Sequence, residues 1–225
     1  VVWDTDDLNG VDDDGNGFVD DLIGWDFIGS DNDPRPTNFH GTHVAGIVGA
    51  CGDNAMGVIG VAGGEGAGTG ALLMPLLVGN NAPDGSILDD AILYAADNGA
   101  RVISMSLSVG ESEAIEDALT YAHDTMGVFI NSSSGNENSS VNFPATDPHV
   151  MAVGATDHDD VRADLATWGS NFGPELEVVA PGVNSLSTRL GDTYNAGGGT
   201  SYASPHVAGT AALMFSRNPP VTNQE

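Results

Sequence analysis

The residues best equipped for chemistry lie far apart along this 225-residue chain. In residues 199–209, GTSYASPHVAG, Ser201 follows Gly197, Gly198, Gly199 and Thr200 and opens a predicted helix. A hydroxyl placed there sits among backbone N–H groups that the helix itself does not satisfy, and these favour negative charge developing nearby. The glycines leave room for another chain to approach the backbone. Ser201 or Thr200 serves equally as a plain N-cap, so a nucleophilic role needs a base within reach. FHGTHVAG offers one: His40 precedes a helix, Gly41 keeps one side of its ring open, and His43 lies one turn on. Taken alone, each histidine is explained as well by a structural role. The zinc-peptidase pattern H-E-x-x-H is excluded, because these histidines are three apart with no glutamate between them.

VDDDGNGFVDD carries a different chemistry. Asp12, Asp14 and Asn16 alternate, Gly17 falls sixth, Phe18 offers its carbonyl at the seventh position, and Asp20 comes ninth, as in loops that wrap calcium with oxygen ligands. The twelfth position is Ile23 where such loops carry glutamate, so Asp21 is the stand-in. Crowded carboxylates repel one another unless a cation sits among them, which favours calcium over a bare solvated loop.

Periodicity indicates how these groups are carried. Helices are predicted over 40–51, 89–98, 113–125 and 201–216, and strands over 72–77, 102–107, 128–131, 151–154 and 177–180, with a short strand near 24–28. Short apolar strands alternating with helices predict a parallel sheet covered on both faces. Pro205 is tolerated on the expectation that it lies in the first turn of its helix. HVAG recurs at 43–46 and 206–209, which fits helices that need small residues for close packing. Thr222 to Glu225 has capping-box spacing, and Val1 is not a methionine, so the chain is expected to be a fragment at both ends.

Composition narrows the class. Forty per cent hydrophobic residues suffice for one globular domain. Asp and Glu number 32 against five arginines and no lysine, a net charge of −27 that calls for high ionic strength, bound calcium or both. Nucleic acid and anionic membranes find no basic patch here and are excluded as partners. Cys51 is alone, so no intrachain disulfide forms, and a small core residue is its expected role. His123, His149 and His158 show no metal-ligand spacing and are expected to be exposed.

Together these words resemble the subtilisin-like serine proteases, the subtilases of peptidase S8 type. HGTHVAG at 40–46, SGN at 134–136 and GTSYASPHVAG at 199–209 match that family's words in its order. The resemblance implies a three-layer α/β fold, with a mainly parallel sheet flanked by helices, forming a single catalytic domain over 1–225 with an acidic calcium loop at 9–28. It implies a serine endopeptidase in which His40 is the general base, Ser201 the nucleophile and Asn136 an oxyanion donor, with His43 in support. Calcium as cofactor, a protein or peptide substrate, an N-terminal propeptide, a monomeric state and secretion go with it, while the solvated acidic surface fits a halophilic source. Residues 106–108 would pair with an extended substrate, residues 133–136 would line its pocket, and Tyr202 would either reshape the leaving side or simply pack. The orienting aspartate is Asp4, in VVWDTDD, or a residue upstream of Val1, because Asp6 stands where a glycine is expected. Without that carboxylate the alternative is a non-catalytic binding or structural module. A lipase-like esterase fails, since residues 199–203 lack the second glycine of G-x-S-x-G and the histidine precedes the serine.

Overall fold

A computed structural model describes residues 8–66, 68–217 and 221–224. The acidic segment comes first. Its apolar side chains dock it: Phe18 packs edge-on against Trp25 at 5.0 Å and Tyr94 at 4.7 Å, seating the loop beside a short strand β1, Trp25–Asp26. Helix α1, Phe39–Gly49, follows, capped by Asn38. Strand β2, Leu76–Leu77, pairs in parallel with β1. It is shorter than predicted, because residues 71–75 are extended without strand pairing and Leu72 faces solvent.

Next come α2, Leu88–Asp97, β3, Val102–Met105, and α3, Glu113–Thr120, the last widening into a π turn over Tyr121–Thr125. Strands β4, Phe129–Ser133, β5, Met151–Thr156, and β6, Leu176–Pro181, complete a parallel sheet ordered β3-β4-β5-β6. Alternation along β4 separates the layers. Ile130 joins Ile92, Ile115, Leu119 and Val150 in one core, whereas neighbouring Asn131 turns to the opposite face and donates to the Ser204 carbonyl at 3.0 Å. Ser204 belongs to α4, Thr200–Phe215, so α4 covers one face of the sheet while α2 and α3 cover the other. This is the three-layer α/β arrangement that the periodicity predicts.

An antiparallel hairpin, β7 (Ser185–Arg189) and β8 (Thr193–Gly197), was not predicted. Serine and threonine in β7 carry no strong apolar alternation, and their work is tertiary: Ser187 Oγ donates to the His43 carbonyl and Thr188 Oγ1 to the Thr42 carbonyl, each at 2.8 Å. Gly46 makes that approach possible, since a Cβ there would collide with both hydroxyls. Gly209 likewise lies against Val61, so the two HVAG words do share close packing, each against a different neighbour. Cys51 is only half-buried, at the loop end of α1, and not a core residue.

Candidate active site

Ser201 stands second in α4. Gly199 precedes the helix with φ of 152°, a backbone state that suits glycine, and its amide donates to the Gly182 carbonyl at 2.9 Å. The cap is therefore Gly199, and the buried Thr200 has a different task. Thr200 N–H donates to Asn136 Oδ1 at 2.8 Å, and its hydroxyl donates to the same oxygen at 3.1 Å while accepting from Gly135 N–H at 3.2 Å. With its oxygen held against the helix, the Asn136 amide leaves Nδ2 unpaired among the described residues. The Ser201 N–H is unpaired in the same sense. Asn136 thus lies against the N-terminus of the helix that carries Ser201, where unpaired N–H groups favour negative charge.

The loop bearing Asn136 is itself braced. Glu137 Oε2 accepts from Asn136 N–H at 2.9 Å, from Asn142 Nδ2 at 3.0 Å and from Asn171 Nδ2 at 2.8 Å. Fully buried Asn171 returns its Oδ1 to the amides of Glu137 and Ser139. Thr200, Glu137 and Asn171 were missed as positioning residues. Only the threonine beside Ser201 gave a signal, and it resembled an ordinary cap.

Pro205 lies beyond the first turn of α4, not within it. Lacking an N–H, it cannot serve the Ser201 carbonyl one turn back. That carbonyl instead accepts from Ser106 Oγ at 2.8 Å, which ties the Ser201 backbone to the end of β3. β3 ends at Met105, short of the predicted 107, so residues 106–108 have no sheet partner on their outer side among the described residues.

His40 comes from the first turn of α1, its N–H held by Asn38 Oδ1 at 2.9 Å. Helix α1 packs along α4, and the Tyr202 ring lies between the histidines, 5.8 Å from His40 and 4.4 Å from His43. Tyr202 is buried, so it is a packing residue between the helices. His43 is also buried, with Nε2 against the Ser185 carbonyl at 3.0 Å, which suits a supporting role. Burial, followed by the proximity of His43, pushes the His40 imidazole below its ordinary pKa and keeps it neutral and able to accept a proton. Among the described residues, the His40 ring makes no hydrogen bond to Ser201 and has no carboxylate beside it. Asp4 lies outside the described residues.

The acidic loop curls around its own oxygens. Asp12 Oδ1 accepts from Gly15 N–H at 2.8 Å and Asn16 N–H at 3.2 Å, and Asp12 Oδ2 from Gly17 N–H at 2.9 Å. Asp14 accepts from Asn16, Asn16 Oδ1 from Phe18 N–H, and Asp20 from the amides of Asn9 and Gly10. Asp21 accepts from the hydroxyl of buried Tyr94 and from Asn16 Nδ2. Burial, then this carboxylate, drives the Tyr94 phenol well above its ordinary pKa. The donors are hard oxygens on a glycine-bent loop, which suits calcium, although no three of these carboxylates lie within 4.8 Å of one another.

A histidine of lowered pKa on α1, a serine at the N-terminus of the adjoining α4 and the Asn136 amide held against that N-terminus are side chains that a serine hydrolase of α/β architecture would use. Sequence comparison narrows this further. The Peptidase_S8 model, the subtilase family, matches residues 1–225, and the chain belongs to that family of serine proteases. It is 44% identical over 198 residues to the thermophilic serine proteinase of Bacillus sp. (strain AK1), covering 87% of this chain and 47% of that protein. Thermitase of Thermoactinomyces vulgaris is 37% identical, over 89% of this chain and 69% of its own length. Subtilisin Savinase of Lederbergia lenta is 39% identical, over 89% and 71%. The chain thus spans between about half and seven tenths of these relatives.

Proposed function

We propose that this chain carries the catalytic centre of a serine endopeptidase, with His40 as general base, Ser201 as nucleophile, and Asn136 Nδ2 and the Ser201 N–H as oxyanion donors. Ser201 Oγ attacks the peptide carbonyl as His40 takes its proton. The oxyanion is held by the two donors; His40 then protonates the departing amine, leaving an acyl ester on Ser201, and water reverses the sequence. The substrate's extended backbone is placed along residues 106–108, next to the Ser106 tie. The observation that supports this reading is the Thr200 clamp, which takes up the Asn136 oxygen at the N-terminus of the helix that carries Ser201 and so leaves Nδ2 to serve as the donor. A carboxylate orienting His40 is assigned to Asp4 or to a residue upstream. A serine-directed phosphonate tests the whole: it labels Ser201 in the native chain and not in Ser201→Ala. A native chain that resists labelling sinks the proposal.

Calcium is assigned to Asp12, Asp14, Asn16, the Phe18 carbonyl and Asp20, with Asp21 linking the loop to Tyr94. When bound, the ion supplies positive charge that offsets these carboxylates and fixes the loop against α2. A secreted protein cutting protein or peptide substrates fits the acidic surface, and no described helix is long and apolar enough to cross a membrane.

A further inference from the structure

His123 and His149, which carry no ligand spacing in sequence, come together in space. Their ring centroids are 5.3 Å apart, and Asp124 bridges them, with Oδ1 2.8 Å from His123 Nδ1 and Oδ2 3.8 Å from His149 Nε2. One ligand atom from each of the three residues lies within 4.8 Å of the others. The histidines are half-buried and Asp124 is exposed, so the cluster has fixed walls and an open side for entry and a water ligand.

A second carboxylate orients the set. Buried Asp147 faces His149 Nδ1 at 3.0 Å and also accepts the His149 backbone N–H at 2.8 Å. A carboxylate only accepts, so Nδ1 carries the proton and the lone pair is left on Nε2, the nitrogen facing Asp124. Metal-binding histidines are commonly held in this way. His123 is pinned through its carbonyl, which accepts from Asn223 Nδ2 at 2.9 Å.

We propose that His123, Asp124 and His149 form a binding site for a divalent transition metal of the zinc class, separate from the catalytic centre and from the acidic loop. Two imidazoles and one carboxylate select zinc, cobalt or nickel over calcium or magnesium, which take oxygen ligands. The negative field of a chain at −27 draws cations toward it. The role follows from topology. His123 lies in the π turn leading into β4, and His149 lies just before β5. β4 and β5 pair in parallel at the centre of the sheet, so the metal would staple their N-terminal ends together, opposite the C-terminal end of β4 from which Asn136 departs. It is a structural clamp.

Cobalt reports the site directly. The tag-free full-length Ser201→Ala chain, which cannot digest itself, is saturated with calcium to fill oxygen sites and titrated with Co²⁺. Visible d–d absorption at one equivalent, displaced by Zn²⁺, is expected, and Zn²⁺ should raise the melting temperature. His123→Ala and His149→Ala should abolish the absorption, and Asp147→Asn should weaken binding about 10- to 100-fold through loss of orientation. An NMR titration with Zn²⁺ needs no further variant: the His123 and His149 ring resonances should move first, ahead of exposed His158. Cobalt binding undiminished in both histidine variants, absence of binding, or zinc moving other histidines first would each overturn the site.

Discussion

The proposed oxyanion donor, Asn136, is set by what holds it. Because two Thr200 groups fix the Asn136 oxygen, the amide needs no reorganisation when charge develops. Asn136→Ala is expected to lower kcat by about 10²- to 10³-fold with KM nearly unchanged, and to cost about 1 to 3 kcal/mol of stability because the buried Thr200 N–H loses its acceptor. An equal loss in KM would instead mean that Asn136 binds ground-state substrate. Acid lability belongs to this scale too. His40, His43 and His206 all have pKa values lowered first by burial. Below the unfolded value of about 6.5 the unfolded chain takes up protons that the native one refuses. Stability is therefore full above about pH 6.5 and falls as pH drops below it, which denaturant melts across pH 7.5 to 5 would detect as a falling midpoint. Ser201 and His40 stand out in the sequence as candidates because their words are local and specific. The Thr200 clamp and the His123–His149 pair do not, because each depends on residues that only the fold brings together.

At the scale of elements, the helices and parallel strands were legible because burial on one or both faces writes a period into the sequence, and most boundaries fell within a few residues. β7 and β8 escaped because their partner is the α1 backbone, reached through hydroxyls and not through an apolar face. Helix α4 shows a similar dependence. Pro205 removes the amide that the Ser201 carbonyl needs, and Ser106 supplies the missing donor from β3. Ser106→Ala should cost about 1 to 3 kcal/mol, the penalty for stranding a carbonyl. In a Pro205→Ala background, the restored N–H can take over. There the same Ser106→Ala change should cost measurably less, giving a coupling of at least about 0.5 kcal/mol in a double-mutant cycle by urea melts. Strict additivity would show that the two devices do not share one carbonyl.

For the whole molecule the governing fact is charge. With 32 acidic side chains against five arginines, the native state concentrates repulsion that unfolding relieves. Two remedies act differently. Salt weakens repulsion chiefly between charges farther apart than a Debye length of about 10 Å at 0.1 M, whereas calcium on the acidic loop would act locally, on the carboxylates of Asp12 and Asp14 and the amide oxygen of Asn16. Melting temperature measured against sodium chloride, with calcium and with a chelator, separates the two. Both curves should rise with salt, and the chelated curve should lie lower throughout, with its deficit narrowing as salt rises. The double variant Asp12→Asn, Asp14→Asn should follow the chelated curve even with calcium present, since its loop has lost the charge that recruits the ion. If the native chain gives one curve with or without chelator, the acidic loop is only a solvated part of a salt-dependent surface. Tyr94 provides a local check. Its phenol is held above its ordinary pKa partly by Asp21, so chelation that loosens the loop should bring its ultraviolet ionisation to lower pH, which general screening by salt would not do at fixed ionic strength.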